Sequence, residues 1–227
     1  MAQRSIWEKE YRDPQLLTKK AEPQADLKKY LHTLKKEFGV LPGGLRVLDL
    51  GSGTGRNANY LASLGAVVTG IEIAPSALAL ARERARALGV RVNYLEHDMG
   101  TPYPFEGGAF DVILDIMSSN SLNEKERSIY LAQTRRVLKP GGDFFVKTLC
   151  KDGDKNAKQL LKISPGSEPD TYVNKDMGLT ERVFAQADFA EMYGRFFTID
   201  TIVKKTNYTR FRGQPYRRNF LLAYMRG

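Results

Sequence analysis

From Asp26 onward, short apolar runs alternate with stretches whose apolar residues recur at helical spacing. Leu27, Tyr30, Leu31, Leu34 and Phe38 share one stripe, which predicts an amphipathic helix over Asp26 to Phe38. Gly39 and the Pro42-Gly43-Gly44 turn stop it. A short buried strand around Val47 and Leu48 then runs into the glycine-rich stretch Gly51-Ser52-Gly53-Thr54-Gly55. Ala58, Leu61 and Leu64 place a helix after Arg56, and Gly65 ends it. "VVTGIEI" (Val67 to Ile73), "VRVNYLE" and "FDVILDI" (Phe110 to Ile116) read as the second, third and fourth strands. A helix opening on Pro75 and stopping at Gly89 separates the second from the third.

Asn123, with Glu126 three residues later, reads as a capping box for a helix running to Leu138. Pro140-Gly141-Gly142 then turns the chain into a fifth strand, "DFFVKTL". Strands alternating with helices imply a doubly wound α/β sheet with helices on both faces. Beyond Leu149 the pattern changes. Cys150 to Arg182 is polar and punctuated by Pro165, Gly166, Pro169 and Gly178, so it reads as a lid or substrate-side insertion. A helix at "AQADFAEMYG" and strands at "FFTIDTIVK" and "RRNFLLAYM" close the chain, the last two as a hairpin. The expected whole is one domain over residues 1–227, with seven strands, mostly parallel, and an antiparallel C-terminal hairpin.

Composition adds little to this until charge is considered. Apolar residues make up 42% and charged residues 27% of the 227, as in ordinary soluble globular proteins. No apolar run approaches the roughly 18 residues needed to span a bilayer, and the N-terminus lacks the apolar core of a secretory signal. The single cysteine, Cys150, leaves no internal disulfide and no metal cluster, and reads as a small buried side chain. A cytoplasmic location without membrane association is the expectation. Net charge is +9, and seven basic residues crowd the end with no acid among them: Lys204, Lys205, Arg210, Arg212, Arg217, Arg218 and Arg226. Interleaved with Tyr208, Phe211, Tyr216 and Phe220, they fit either a polyanion track or an edge hairpin with buried aromatics and solvated arginines.

The glycine turn carries the chemistry. Its third glycine comes one residue too early for a dinucleotide fingerprint, and Asp49, two residues before the first, is awkward for a phosphate-bearing ligand. A cationic ligand suits it better. Glu72, ending the second strand, is placed to accept both hydroxyls of a ribose. Asp98, just past the third, is placed to accept from an exocyclic amino group. Together they describe a cationic, phosphate-free adenosine compound.

At this point the sequence resembles a known family. "VLDLGSGTG", "GIEIAP", "EHDM", "FDVILD" and "RVLKPGGDFFV" are similar, in order and spacing, to the successive motifs of class I S-adenosylmethionine-dependent methyltransferases, from about Leu45 to Val146. The resemblance implies a Rossmann-like fold, S-adenosyl-L-methionine as cofactor and methyl transfer as activity. It implies that Asp49, Gly51, Gly53 and Gly55 hold the methionine and ribose part and that Glu72 holds the diol. Ile73 would pack on adenine, Asp98 bind its amino group and Met99 cover the ring, with Asp115 lining the same pocket.

The acceptor leaves fainter marks. A small molecule is favoured, with an N-terminal helical lid over residues 1–40 carrying Trp7 and Tyr11, and residues 150–182 completing the acceptor pocket. Tyr172, Asn174 and Lys175 are polar candidates there. The alternative is RNA, gripped by Lys204, Lys205, Arg210, Arg212, Arg217 and Arg218. Asp115 and Lys147 fall near two members of the Lys-Asp-Lys-Glu tetrad of ribose 2′-O-methyltransferases, with Lys28 or Lys29 as the first lysine and Asn219 where the closing glutamate belongs. A third reading is a catalytically silent cofactor-binding partner protein.

Overall fold

A computed structural model describes residues 3–13, 21–39, 42–211 and 214–227. Helices α1 (Arg4–Arg12) and α2 (Ala25–Phe38) precede β1 (Arg46–Leu50), α3 (Arg56–Ser63), β2 (Val67–Glu72), α4 (Pro75–Ala87), β3 (Val92–Glu96) and β4 (Phe110–Ile116). After α5 (Glu124–Val137) come β5 (Leu138–Cys150), α6 (Lys155–Ile163), a small hairpin of β6 (Thr171–Asn174) and β7 (Leu179–Arg182), α7 (Gln186–Gly194), β8 (Thr198–Phe211) and β9 (Gln214–Arg226). The main sheet has seven strands in the order β3-β2-β1-β4-β5-β9-β8, with β9 antiparallel to both β5 and β8. Strand order reverses between β1 and β4, and in open α/β sheets ligands bind in the crevice at the carboxyl ends of the strands there. The glycine turn after β1 lies at that point. No described helix is long and apolar enough to cross a membrane.

Both sheet faces are covered, which is why the central strands read as continuous apolar runs. On one face Leu27, Tyr30 and Leu34 of α2 are buried, and Tyr30 stacks on Phe145 of β5 with ring centroids 4.6 Å apart. On the other, Tyr130, Phe144, Phe189 and Tyr193 form an aromatic cluster with Phe197. The capping box stands as the sequence predicts: Asn123 accepts from the Glu126 N–H at 2.8 Å, and Glu126 accepts from the Asn123 N–H at 3.1 Å. Asn123→Ala should cost about 1 kcal/mol, a fall in Tm of roughly 2–4 °C for a domain of this size, read by thermal melts.

The ends of the sheet differ from the sequence reading in two places. Pro140-Gly141-Gly142 is not a separate turn. It is an irregularity inside β5, where pairing to β4 shifts from Phe110↔Leu138 to Val112↔Asp143 and Gly141 takes a φ of 70°. The backbone groups there pair with the chain end, Gly141 N–H to Gly227 and Gly227 N–H to Gly142. The C-terminal hairpin is also longer than the two apolar runs suggested, because Thr206 to Phe211 continues β8. Cys150 to Arg182 holds α6 and the β6–β7 hairpin. Asp154 caps α6 by accepting from the Ala157 N–H at 2.8 Å.

Candidate active site

A crevice of about 800 Å³ opens over the carboxyl ends of the strands. Gly51, Ser52, Gly53, Glu72, Ile73, Asp98, Met99, Met117 and Ser118 line one half. Lys147, Glu181, Asn207, Tyr208, Arg218 and Phe220 line the other. Trp7 and Tyr11 of α1 also line it. Helix α1 is tied down at both ends. The Gln3 side chain exchanges two hydrogen bonds with the Thr180 backbone (2.7 and 2.9 Å) and donates to Ser121 O at 2.5 Å. Glu8 accepts from both the N–H and the hydroxyl of Ser76, capping the start of α4.

The glycine turn is pinned by Glu72. Its carboxylate accepts from the backbone N–H groups of Gly53 (2.9 Å), Ile73 (2.9 Å) and Ala74 (3.0 Å). Burial pushes this carboxyl up while those three N–H groups pull it back. A carboxylate offers about four lone-pair sites, so the 5%-exposed Glu72 retains acceptor capacity toward the crevice it lines. Gly53 has a φ of 53°, and a Cβ there would meet the Tyr11 hydroxyl at 2.8 Å. Only glycine keeps the roof this close to the turn.

Six of the sequence-predicted cofactor residues come together on the crevice wall: Gly51, Gly53, Glu72, Ile73, Asp98 and Met99. Three do not. Asp49 is buried beneath the turn, 2% exposed, with Oδ2 lacking a hydrogen-bond partner among the described residues. Gly55 faces inward instead. A Cβ there would lie 2.3 Å from the Tyr94 hydroxyl and 2.9 Å from Ala81 Cβ, so this glycine serves the packing of α3 against α4 and β3.

Asp115 corrects both of its expected roles. Fully buried, it accepts from Tyr130 O–H at 2.7 Å and from the N–H groups of Ser118 and Ser119 at 3.1 and 3.2 Å. It therefore shapes the loop after β4 from behind and holds Met117 at a φ of 70°, a conformation uncommon for a non-glycine residue. In register Asp115 is opposite Val146 while Lys147 is opposite Ile116, which puts Asp115 and Lys147 on opposite faces of the sheet. Asn219 pairs with Cys150 in the register of β5 and β9, and Lys28 and Lys29 are exposed on α2. The Lys-Asp-Lys-Glu arrangement is not assembled.

The basic C-terminal residues also part company. Lys205 pairs with Asp26, Arg226 with Asp200 at 2.6 Å, and Arg218 is buried against Asp154 at 3.1 Å. Lys204 and Arg217 are exposed, Arg217 lying over the Tyr208 ring at 5.9 Å. The side chains of Arg210 and Arg212 lie outside the described residues. At least three of the seven cations thus face carboxylates of the chain itself, which differs from the edge-hairpin reading in two places: Arg218 is buried rather than solvated, and Tyr208 is exposed rather than buried.

Residues that sequence reasoning passed over complete the site. Arg56, in the first turn of α3, lines the crevice without an ion pair among the described residues. Asp26, 4% exposed, receives both Lys147 (2.8 Å) and Lys205. Burial alone would raise its carboxyl, but the two ammonium groups hold it below the usual range. Burial pulls Lys147 down, against the opposing pull of Asp26. Lys147 also donates to Gln24 at 3.1 Å and sits 4.8 Å from the Phe220 ring centre.

Burial raises the Asp49 carboxyl to about 7, with Arg56 pulling the other way. An unfolded aspartate ionises near 3.9, so between about pH 4 and 7 the folded chain holds a proton that the unfolded chain releases. That contribution is complete at low pH and fades as pH rises through 7. Between about pH 5 and 8 the wild type should therefore lose more thermal stability than Asp49→Asn, in melts compared across pH.

Comparison with known proteins agrees with this geometry. Residues 47–142 match a family model described as a methyltransferase domain. A demethylmenaquinone methyltransferase of Thermus thermophilus is 40% identical over 103 residues, 44% of this chain and 46% of that one. A ubiquinone biosynthesis O-methyltransferase of Cronobacter sakazakii is 34% identical over 125 residues, 55% and 49% of the two chains. The chain spans about half the length of these relatives. A solved S-adenosylmethionine-dependent methyltransferase from Methanosarcina mazei superposes with a TM-score of 0.72 at 22% identity, covering 90% of this chain and 98% of that one. Residues 47–142 thus match a methyltransferase domain, and the fold is that of the S-adenosylmethionine-dependent methyltransferase it superposes on.

Proposed function

We propose that this protein transfers the methyl group of S-adenosylmethionine to a small-molecule acceptor held in the half of the crevice lined by Lys147, Phe220 and Arg218. The observation that carries the reading is the shape of the crevice. It runs on from the glycine turn along residues of α1, β7 and the β8–β9 hairpin, in a single cavity of about 800 Å³ that suits a small acceptor beside the cofactor. The residues present fit the cofactor. Glu72 has spare acceptor capacity for a ribose diol, Asp98 and Met99 stand where an adenine would lie, and the partnerless Asp49 oxygen favours a cation nearby. Arg56, which makes no ion pair among the described residues, supplies a cation for the carboxylate of the methionine part.

When bound, the cofactor supplies an electrophilic methyl on a sulfonium that is also the leaving group. The protein's own work is alignment and exclusion of water, worth up to several kcal/mol. Trp7 and Tyr11 of α1 and Met117 and Ser118 of the loop after β4 line the crevice where that alignment would be made. The quinone-named relatives support a small organic acceptor as the class of substrate. Incubation with methyl-labelled S-adenosylmethionine and fractionated cell extract tests the reading. Label should appear in a low-molecular-weight organic fraction; label in RNA, or no turnover with intact cofactor binding, would contradict it.

A further inference from the structure

The acceptor compartment contains a cation that the protein fixes but does not use up. Arg218 stands in β9 and is 8% exposed, yet it lines the crevice. Its Nε donates to Asp154 Oδ2 at 3.1 Å, and its Nη1 donates to the hydroxyls of Tyr172 at 3.1 Å and Tyr216 at 3.3 Å. Its Nη2 is buried with no hydrogen-bond partner among the described residues. A guanidinium nitrogen left without an acceptor in a desolvated position is costly, and the group is held too firmly to swing into water. Asp154 is itself fixed, accepting from the N–H groups of Ala157 and Asn219 at 2.8 Å each.

Asp154 pairs with this cation, and the neighbouring ammonium groups take up the other carboxylate nearby. Lys147 and Lys205 share the single carboxylate of Asp26. Glu181, also on the crevice wall, accepts a hydrogen bond from the Tyr172 hydroxyl at 2.7 Å, and burial raises its carboxyl against the opposing pull of Tyr172 and Arg218. Lys147, Lys205 and Arg218 thus stand beside Asp26, Asp154 and Glu181, and Nη2 is the donor left without an acceptor among the described residues. Asn207 lies opposite Arg218 in the β8–β9 register, and Phe220 is two residues along the same face of β9, so a polar and an apolar residue neighbour Arg218 on that face and line the same crevice.

We propose that Arg218 is the specificity-determining residue of the acceptor compartment and that it binds a carboxylate on the methyl acceptor, making the substrate a small carboxylic acid. Nη2 offers two N–H groups to the carboxylate, and the apolar body of the acid lies against Phe220. The carboxylate is the handle that orients the acceptor, and the methyl-accepting atom is a different group. This inference rests on the methyltransferase reading and narrows its substrate class.

The test uses the full chain saturated with S-adenosylhomocysteine, titrated with a panel of small aromatic and aliphatic carboxylic acids and their matched primary amides. Acids should bind at least about tenfold more tightly than their amides, as a charge-assisted hydrogen bond implies. Arg218→Lys, which keeps the charge but loses the fixed fork, should abolish the preference. Asn207→Asp, which sets a carboxylate beside Nη2, should do the same without touching the Asp154 network. Affinity for S-adenosylhomocysteine should stay within about twofold in both, since neither residue belongs to the cofactor half. Equal binding of acids and amides, no binding of any acid, or a preference surviving both variants would overturn the proposal. Failure of the wild type to bind S-adenosylhomocysteine would instead overturn the methyltransferase reading beneath it.

Discussion

Glu72→Ala is expected to weaken S-adenosylmethionine binding by roughly 10- to 100-fold, the loss of a charge-assisted hydrogen bond worth about 1.5–3 kcal/mol. Two effects act together. The ribose diol loses its acceptor, and the glycine turn loses the carboxylate on which the N–H groups of Gly53, Ile73 and Ala74 converge. Glu72→Gln separates them, since one amide oxygen keeps part of the backbone anchoring while the charge is gone. Its affinity should fall between wild type and Glu72→Ala in calorimetric titrations. Unchanged affinity in Glu72→Ala would remove this residue from the cofactor site.

Asp26→Ala should be the most destabilising single change outside the apolar core. It leaves Lys147, whose side chain is 8% exposed, without its carboxylate, and sends Lys205 to solvent. Breaking a buried pair by removing one partner costs about 3–5 kcal/mol, a fall in Tm of roughly 6–20 °C at this chain length. Asp26→Leu with Lys147→Met replaces the pair by apolar side chains of similar size and should recover most of that loss. A double variant no more stable than Asp26→Ala would mean that the cost comes from α2 itself, where Asp26 also lies in the favourable first turn. The same double variant removes the ammonium from the acceptor compartment, so stability and turnover can be followed separately.

Much of this molecule is legible in its sequence because local rules agree with the global fold. Strands β1, β2, β4 and the second half of β5 are largely buried on both faces and announce themselves as apolar runs. Gly39, Pro75 and the Asn123 box mark helix ends by chemistry that needs no distant partner. What stayed hidden depends on register and on residues far apart in the chain. Asp115 and Lys147 are near each other in any linear scheme of the fold, but one step of register sends their side chains to opposite faces. Arg218 reads as one more tail cation until Asp154 and Tyr172 are brought to it from the segment after β5. That segment reads as loop because its prolines and glycines mask two short strands, Thr171–Asn174 and Leu179–Arg182, joined by a tight polar turn. Gly55 carries a related lesson: all three glycines of the turn look alike in sequence, yet this one is required by Tyr94 and Ala81.

The most direct test of the cofactor crevice is a crystal structure of the protein grown with S-adenosylhomocysteine. The nucleoside should lie over Gly51 and Gly53 with its ribose hydroxyls on the Glu72 carboxylate and its adenine between Ile73 and Met99. A nucleoside bound elsewhere, or a crevice that stays free of it at saturating ligand, would contradict the assignment.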